Sequence, residues 1–235
     1  MTIGKKSFIC TVTIAVFLGS VSVGIISVYL KRIFFANKDF TTLFRNTERD
    51  ERLSLHREGK KVEEICEEKG INLPIRSPKI VIIKSKNMLS LYEGNILIKS
   101  YSISLGLNPV DDKIKRGDCC TPEGEFYICQ KRPWSQFGPR SMLISYPNIE
   151  DAERGLQEGL ISRREHDEIV KAINRKKIPP QNTRLGSYLF IHGEGMEGNG
   201  KMDNWTLGCI AMFNEDIEEL YEYVEVGTPI FILKN

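Results

Sequence analysis

The residues with the clearest chemical potential are a cysteine and a histidine, Cys209 and His192. The cysteine follows the histidine by seventeen positions, and each lies beside a short apolar run that favours a β-strand. A thiolate is a strong nucleophile, and a neighbouring imidazole can take the thiol proton, so this pair has the groups needed for acyl transfer through a thioester. Both residue types are also common as buried structural residues, so the pair alone does not establish catalysis.

The residues around the cysteine favour a site over a core position. Gly208 lets the backbone approach a substrate closely, and the Thr206 hydroxyl can hold the turn before Cys209. The segment that follows His192 is too rich in glycine for a core and is typical of the rim of a site. Its glycines are Gly193, Gly195, Gly198 and Gly200.

Several motifs in order resemble the catalytic domain of bacterial L,D-transpeptidases. That family carries His-Gly, a variable loop, and Ser/Thr-x-Gly-Cys followed by a short apolar segment. Here those positions are His192-Gly193 and residues 206–210. The resemblance covers about residues 79–233 and includes the runs 99–106 and 121–128, which are similar to the "SLG" and "TPEG" runs of the family.

One position departs from the common family pattern. Many members carry arginine two residues after the cysteine, where this chain has Ala211. Arginine there would offer a rigid fork of donors to a carboxylate or carbonyl. The chain resembles a subgroup with Trp-Thr-x-Gly-Cys-Ile-Ala, so the departure leaves substrate placement open without indicating an inactive protein.

The chemistry and the resemblance together predict a role for each site residue. Cys209 is the predicted nucleophile and His192 the general base and then general acid, through a thiolate–imidazolium pair whose attraction lowers the thiol pKa. The backbone N–H groups of Gly208 and Cys209 are candidate oxyanion donors. The family suggests that the Gly193 carbonyl orients the ring of His192. The predicted substrate-binding residues are Thr206, Trp205 and Tyr146, with Trp134 as a further aromatic candidate.

The resemblance also implies the substrate. Similar enzymes take a stem tetrapeptide of peptidoglycan, release its terminal D-alanine, and join the L-centre of a diamino acid to the D-centre of another stem. Related members attach or detach a lipoprotein lysine, so an amine of a wall protein is a second predicted acceptor. No metal ion or organic cofactor is required. Two alternatives stay open: a murein peptidase or amidase that uses the same Cys209 and His192, and a non-catalytic wall-binding module.

Length and composition fit one main domain with accessory segments. The chain has 235 residues, of which 41% are hydrophobic and 27% charged, as in ordinary globular proteins. The net charge of +2 gives no reason to expect a nucleic-acid partner, because acidic residues match and interleave with the basic ones. Neither a CxxC pair nor an HExxH helix supports a metal site.

An uncharged apolar run occupies residues 8–30, from Phe8 to Leu30, with lysine or arginine on both sides. As a helix it would rise about 34 Å, enough to cross a bilayer core. We predict an uncleaved, single-pass anchor in the cytoplasmic membrane over residues 1–38, with a cleavable signal peptide as the rival. A wall substrate then requires the catalytic domain on the extracytoplasmic side, in the periplasm or cell wall.

The rest of the chain divides into a charged segment and a β-rich domain. Residues 39–78 predict a charged helical stalk or a packed accessory helix, followed by a short linker. Residues 79–235 predict a mainly β domain, for which the resemblance implies the β-sandwich of the family. An inserted helical hairpin, about 148–184, would wall the site or simply lie on the surface, and Asn214 would cap a C-terminal helix. The disulfide status of Cys66, Cys119, Cys120 and Cys129 stays open.

Overall fold

The structure is a computed structural model, and it describes residues 59–134, 136–193 and 203–235. The predicted anchor over residues 1–38 lies outside the described residues. Within the described part, no helix combines the length and the apolar character that a membrane crossing requires.

The described residues form an eight-stranded sheet in the order β3-β2-β1-β8-β4-β5-β6-β7. The β1–β8 and β6–β7 pairs are parallel, and the other neighbouring pairs are antiparallel. The prediction of a mainly β fold is confirmed, and short β-branched and apolar runs account for the strands. The strands are β1 Pro78–Ile83, β2 Met88–Glu93, β3 Ile96–Ser102, β4 Gly124–Arg132, β5 Ser141–Ile144, β6 Phe190–His192, β7 Ile210–Ala211 and β8 Pro229–Leu233.

The sheet curls until its two ends meet. Beyond β3, the backbone of Ser104 exchanges two hydrogen bonds with Ala211, at 2.8 and 2.9 Å. Thr206 N–H donates to Leu105 O at 3.1 Å, and Leu107 N–H donates to Thr206 O at 2.9 Å. Where the strand pattern predicts a sandwich or barrel and the resemblance implies a β-sandwich, the described residues form one curled sheet, and these bonds link the chain beyond β3 to the β7 end.

The first helix, α1 at Val62–Glu68, belongs to this domain. Val62 and Cys66 are fully buried in the main hydrophobic core together with residues of β1 to β3. Of the two possibilities, Val62–Glu68 is a packed helix, which apolar burial holds on the sheet, and residues 39–58 of the predicted segment lie outside the described residues.

The inserted hairpin consists of α2 at Ile149–Gln157 and α3 at Arg163–Asn174. Each helix begins with a capping box, and the sequence predicted the one at Ser162, which begins α3. Helix α3 ends at Asn174, about where the sequence predicts its end, and Lys176 just beyond it takes a left-handed conformation (φ 54°). The hairpin has a small core of its own, formed by Ala152, Ile161, Ile169 and Leu185.

The last helix, α4 at Asn214–Tyr223, packs on the sheet as predicted. Ile217, Leu220 and the following Val224 are fully buried. Asn214 is the first residue of the helix rather than its cap, which is Phe213. This shift matters for the site, because it leaves the Asn214 side chain beside the segment that follows β6.

Candidate active site

The pairing of β6 with β7 brings the cysteine and the histidine together. His192 is the register partner of Ala211, and Cys209 comes two residues before Ala211. Cys209 directly precedes β7, and an extension of the register puts it opposite Phe190. Alternation of side chains from there puts Cys209 and His192 on one face, with Cα atoms about 8 Å apart by strand geometry. The backbone N–H of Phe190 donates to Cys209 Sγ at 3.4 Å, which fixes the sulfur beside β6.

The Cys209 thiol lies in a recess and keeps partial exposure. Its S–H donates weakly to the carbonyl of Tyr188, at 3.7 Å. Burial raises the pKa of the thiol, against smaller lowering effects from the N–H of Phe190 and from the positive charge of Lys113. In the free protein the neutral thiol is therefore favoured more than in an ordinary cysteine.

The imidazole of His192 is buried, with 3% of the residue exposed. Its Nδ1 lies 2.5 Å from the carbonyl oxygen of Gly193, so Nδ1 carries a proton and donates it there. In the neutral ring this leaves the lone pair on Nε2, as a base requires. Burial lowers the pKa of His192, while the carbonyls of Gly193 and Phe137 raise it by a smaller amount.

These opposite shifts bear on the protonation of the free site. Raising the pKa of Cys209 and lowering the pKa of His192 both favour a neutral thiol beside a neutral imidazole, because desolvation of two buried groups opposes charge on either of them. The thiolate–imidazolium pair stays a prediction for the reacting complex.

The turn before the cysteine is held by Thr206. Its hydroxyl donates to Cys209 O at 2.7 Å and accepts from the N–H of Gly208 at 3.1 Å, and the side chain is buried. The predicted turn-holding role of Thr206 is confirmed, and its predicted role in substrate binding stays a prediction. The predicted oxyanion role of Gly208 is corrected, because its N–H already donates inside the turn. Among the described residues, none accepts a hydrogen bond from the N–H of Cys209, which stays the candidate oxyanion donor.

Gly208 is required by the close packing under this turn. Its φ is +125°, and a Cβ there would lie 2.5 Å from the carbonyl oxygen of Cys120. The Cys120 segment is itself fixed by Asp118, which accepts from the N–H of Cys120 at 3.1 Å and from the buried ammonium of Lys113 at 2.7 Å. The turn before Cys209 thus packs against the hydrogen-bonded loop that contains Cys120.

The three aromatic residues that were predicted to bind substrate lie in different environments in the structure. The Trp205 ring stands edge-on to the His192 ring, with centroids 6.0 Å apart, and 37% of the residue is exposed. Tyr146 is 1% exposed and donates its hydroxyl to Leu185 O at 2.9 Å, so it is a core residue and its predicted substrate contact is corrected. Trp134 is 79% exposed in the loop after β4.

Three residues lie at the site although nothing in the sequence marked them as site residues. The exposed Phe137 ring lies 5.4 Å from the ring of His192. Tyr188 supplies the carbonyl near the sulfur from a left-handed conformation (φ 51°). The Asn214 Oδ1 lies so close to Gly193 that a Cβ on the glycine would approach it to 2.4 Å.

Residues 77–232 match the family model of the L,D-transpeptidase catalytic domain, YkuD. The chain belongs to this family. A protein of Escherichia coli (strain K12) named "Putative L,D-transpeptidase YafK" is 29% identical over 162 residues, which are 65% of this chain and 48% of that protein. The chain thus spans about half the length of this relative.

Solved structures resemble this chain over part of its length. A variant of the helical cell shape determining protein Pgp2 from Campylobacter jejuni has a TM-score of 0.49 and 23% identity, over 68% of this chain and 48% of that one. An L,D-transpeptidase from Xylanimonas cellulosilytica has a TM-score of 0.40 and 13% identity, over 66% of this chain and 60% of that one.

Proposed function

We propose that this chain is a cysteine-dependent L,D-transpeptidase that acts on stem peptides of peptidoglycan through a thioester on Cys209. The observation that supports this most is the shared sheet face of Cys209 and His192, with Nδ1 of the histidine committed to Gly193 O. In the proposed mechanism Nε2 serves as the base. Family membership supports the wall peptide as the substrate class.

In the acylation step, His192 Nε2 takes the Cys209 proton as the sulfur attacks the peptide carbonyl. Proton transfer during attack fits a neutral resting pair, since the ion pair needs to form only when the substrate has replaced water. The N–H of Cys209 donates to the developing oxyanion. Collapse of the intermediate breaks the C–N bond, and the imidazolium returns the proton to the leaving D-alanine amine.

In the second step, an amine attacks the thioester carbonyl and gives its proton to His192. The C–S bond breaks and Cys209 regains its proton, which restores the starting state. The exposed aromatic rings of Trp205 and Phe137 beside His192 offer apolar surface to the peptide chains. The acceptor is the diamino acid of a second stem or a wall-protein amine, and water as acceptor would give a peptidase.

The proposal predicts an acyl adduct on one cysteine. The full chain is incubated with a stem tetrapeptide, alone and with an amine acceptor, and mass spectrometry follows the protein and the released D-alanine. We expect D-alanine release and an adduct on Cys209, with a cross-linked product when the amine is present. The Cys209→Ala variant should show neither.

The other outcomes separate the alternatives. Tripeptide formation with no amine product identifies a hydrolase that uses the same residues. Peptide binding without any release, equal in the wild type and in Cys209→Ala, identifies a wall-binding module.

For location, we propose a single-pass anchor at residues 8–30 with the catalytic domain outside the cytoplasmic membrane. Cysteine labelling by an impermeant maleimide in intact cells tests it.

A further inference from the structure

We propose that Arg132 determines substrate specificity by binding the C-terminal carboxylate of the donor peptide, the group released with the leaving residue. This inference rests on the proposed function for the identity of the donor.

Arg132 stands in one register row with the histidine. Arg132 is the register partner of Ser141, Ser141 of His192, and His192 of Ala211, so the four residues cross β4, β5, β6 and β7 on one face. Two strand spacings separate Arg132 from His192, about 10 Å between Cα atoms. Only the small side chain of Ser141 stands between them in this row.

The guanidinium of Arg132 is held in place. Its central carbon lies 4.8 Å from the centroid of the Phe190 ring, and its Nε–H and one NH2 group both donate to Gln130 Oε1 at 3.2 Å. Stacking on a ring and a paired hydrogen bond limit its rotation, while the planar fork has further N–H donors for a second partner. Arg132 keeps partial exposure, so an anion can reach it.

The same phenylalanine connects Arg132 to the nucleophile. The N–H of Phe190 donates to Cys209 Sγ at 3.4 Å, and its ring carries the guanidinium. A C-terminal carboxylate carbon lies about 4 Å from the carbonyl carbon of the preceding peptide bond, from standard bond lengths. When the sulfur attacks that carbonyl, a donor peptide that runs from Cys209 across Phe190 directs its carboxylate toward Arg132.

This position also bears on the departure at Ala211. The arginine that many members carry would stand at the far end of this row, where Ala211 is buried and bonded through its backbone to Ser104. The chain instead places a cation at the opposite end of the same row. A guanidinium on the same face can therefore supply the donor fork that Ala211 lacks.

The test compares two donor peptides that differ in one group. The full chain receives the stem tetrapeptide with a free C-terminal carboxylate, or the same peptide as its C-terminal amide, and release of the last residue gives kcat/KM. We expect the acid to be favoured about 10- to 100-fold in the wild type, because a charge-assisted fork is lost with the amide. In Arg132→Gln the ratio of kcat/KM for the acid to kcat/KM for the amide should fall to near one, because kcat/KM decreases for the acid and not for the amide. Arg132→Lys should keep a part of the preference. The exposed Arg163→Gln in α3 is the matched control and should behave as the wild type.

Binding separates this proposal from the proposed function. In the Cys209→Ala background, calorimetry should show the acid bound about tenfold more tightly than the amide, and equal affinities after Arg132→Gln. That result upholds the role of Arg132 even when no turnover is found. Equal affinities before the Arg132 change, no binding of either peptide, or an equal loss for both peptides in Arg132→Gln would overturn it.

Discussion

At the residue scale, the proton of Cys209 is controlled by burial and by two neighbours. The N–H of Phe190 contacts the sulfur, and the carbonyl of Gly193 fixes the tautomer of His192. In the proposed mechanism the thiol therefore stays protonated until the imidazole accepts its proton. A neutral thiol is oxidised more slowly than a thiolate, because the thiolate is the form that oxidants attack.

The pH dependence of alkylation follows from the two pKa shifts. The pKa of the Cys209 thiol is raised and that of His192 is lowered, so at pH 7 the free protein holds less thiolate than an ordinary cysteine would. We expect the rate of Cys209 alkylation by iodoacetamide to keep rising with pH beyond about 8.5, without a plateau near neutrality. Peptide mass spectrometry from pH 6 to 10 measures it, with Cys209→Ser to assign the site. A plateau below pH 7 would show a stable ion pair instead.

At the scale of elements, the turn that enters β7 is the part that decides the geometry. Thr206 bonds both Gly208 and Cys209, and the chain beneath it is the Cys120 segment. Strand β7 has only two residues, so its position depends on this turn and on its pairing with β6 and Ser104. Cys209, the proposed nucleophile, thus directly precedes a short strand that the neighbouring loops hold in place.

A methyl group at Gly208 should disrupt this turn. We expect Gly208→Ala to lose about 2–4 kcal/mol of unfolding free energy and most of the activity, since a Cβ would meet Cys120 O at 2.5 Å and φ is +125°. Gly227→Ala is the control: φ is +97° there but nothing lies within 4 Å of the Cβ, so about 1–2 kcal/mol and unchanged activity are expected. Urea unfolding and D-alanine release measure both. Equal effects of the two variants would refute the clash.

At the scale of the whole molecule, α1 packs on the main hydrophobic core beside β1 to β3. Its Val62 N–H donates to Glu219 Oε1 of α4 at 3.1 Å, and the other oxygen of Glu219 accepts from Lys99 and Tyr101 of β3 at 2.7 and 2.9 Å. One carboxylate therefore ties α1, α4 and β3 together. The helix before the predicted domain boundary is part of the folding unit.

The packing of α1 predicts a stability effect far from the site. Val62→Ala should lower the unfolding free energy by about 2 kcal/mol, because two methyl groups leave a fully buried position. Glu64→Ala, on the exposed side of α1, should change it by less than about 0.5 kcal/mol. Urea unfolding followed by tryptophan fluorescence should give a single transition in both. An unchanged midpoint for Val62→Ala would mean that α1 does not fold with the sheet.

The sequence by itself determined the features that depend on near neighbours. The turn glycine Gly208 and the Ser162 capping box depend on residues within a few positions, so their patterns are legible in one dimension. The strands follow from β-favouring apolar runs for the same reason. The pair His192 and Cys209 was found because both stand in a motif of fixed order, although their catalytic roles stay predictions.

Only the tertiary structure decided which side chains share a surface. Tyr146 is adjacent to a strand and aromatic, yet it is buried under Leu185, and nothing local shows this. The row from Arg132 to His192 depends on the register of three strands separated by long loops, and a shift of one residue would turn every side chain to the other face. Register is set by the packing of the whole core, which is why Arg132 and Phe137 could be placed beside the site only in three dimensions.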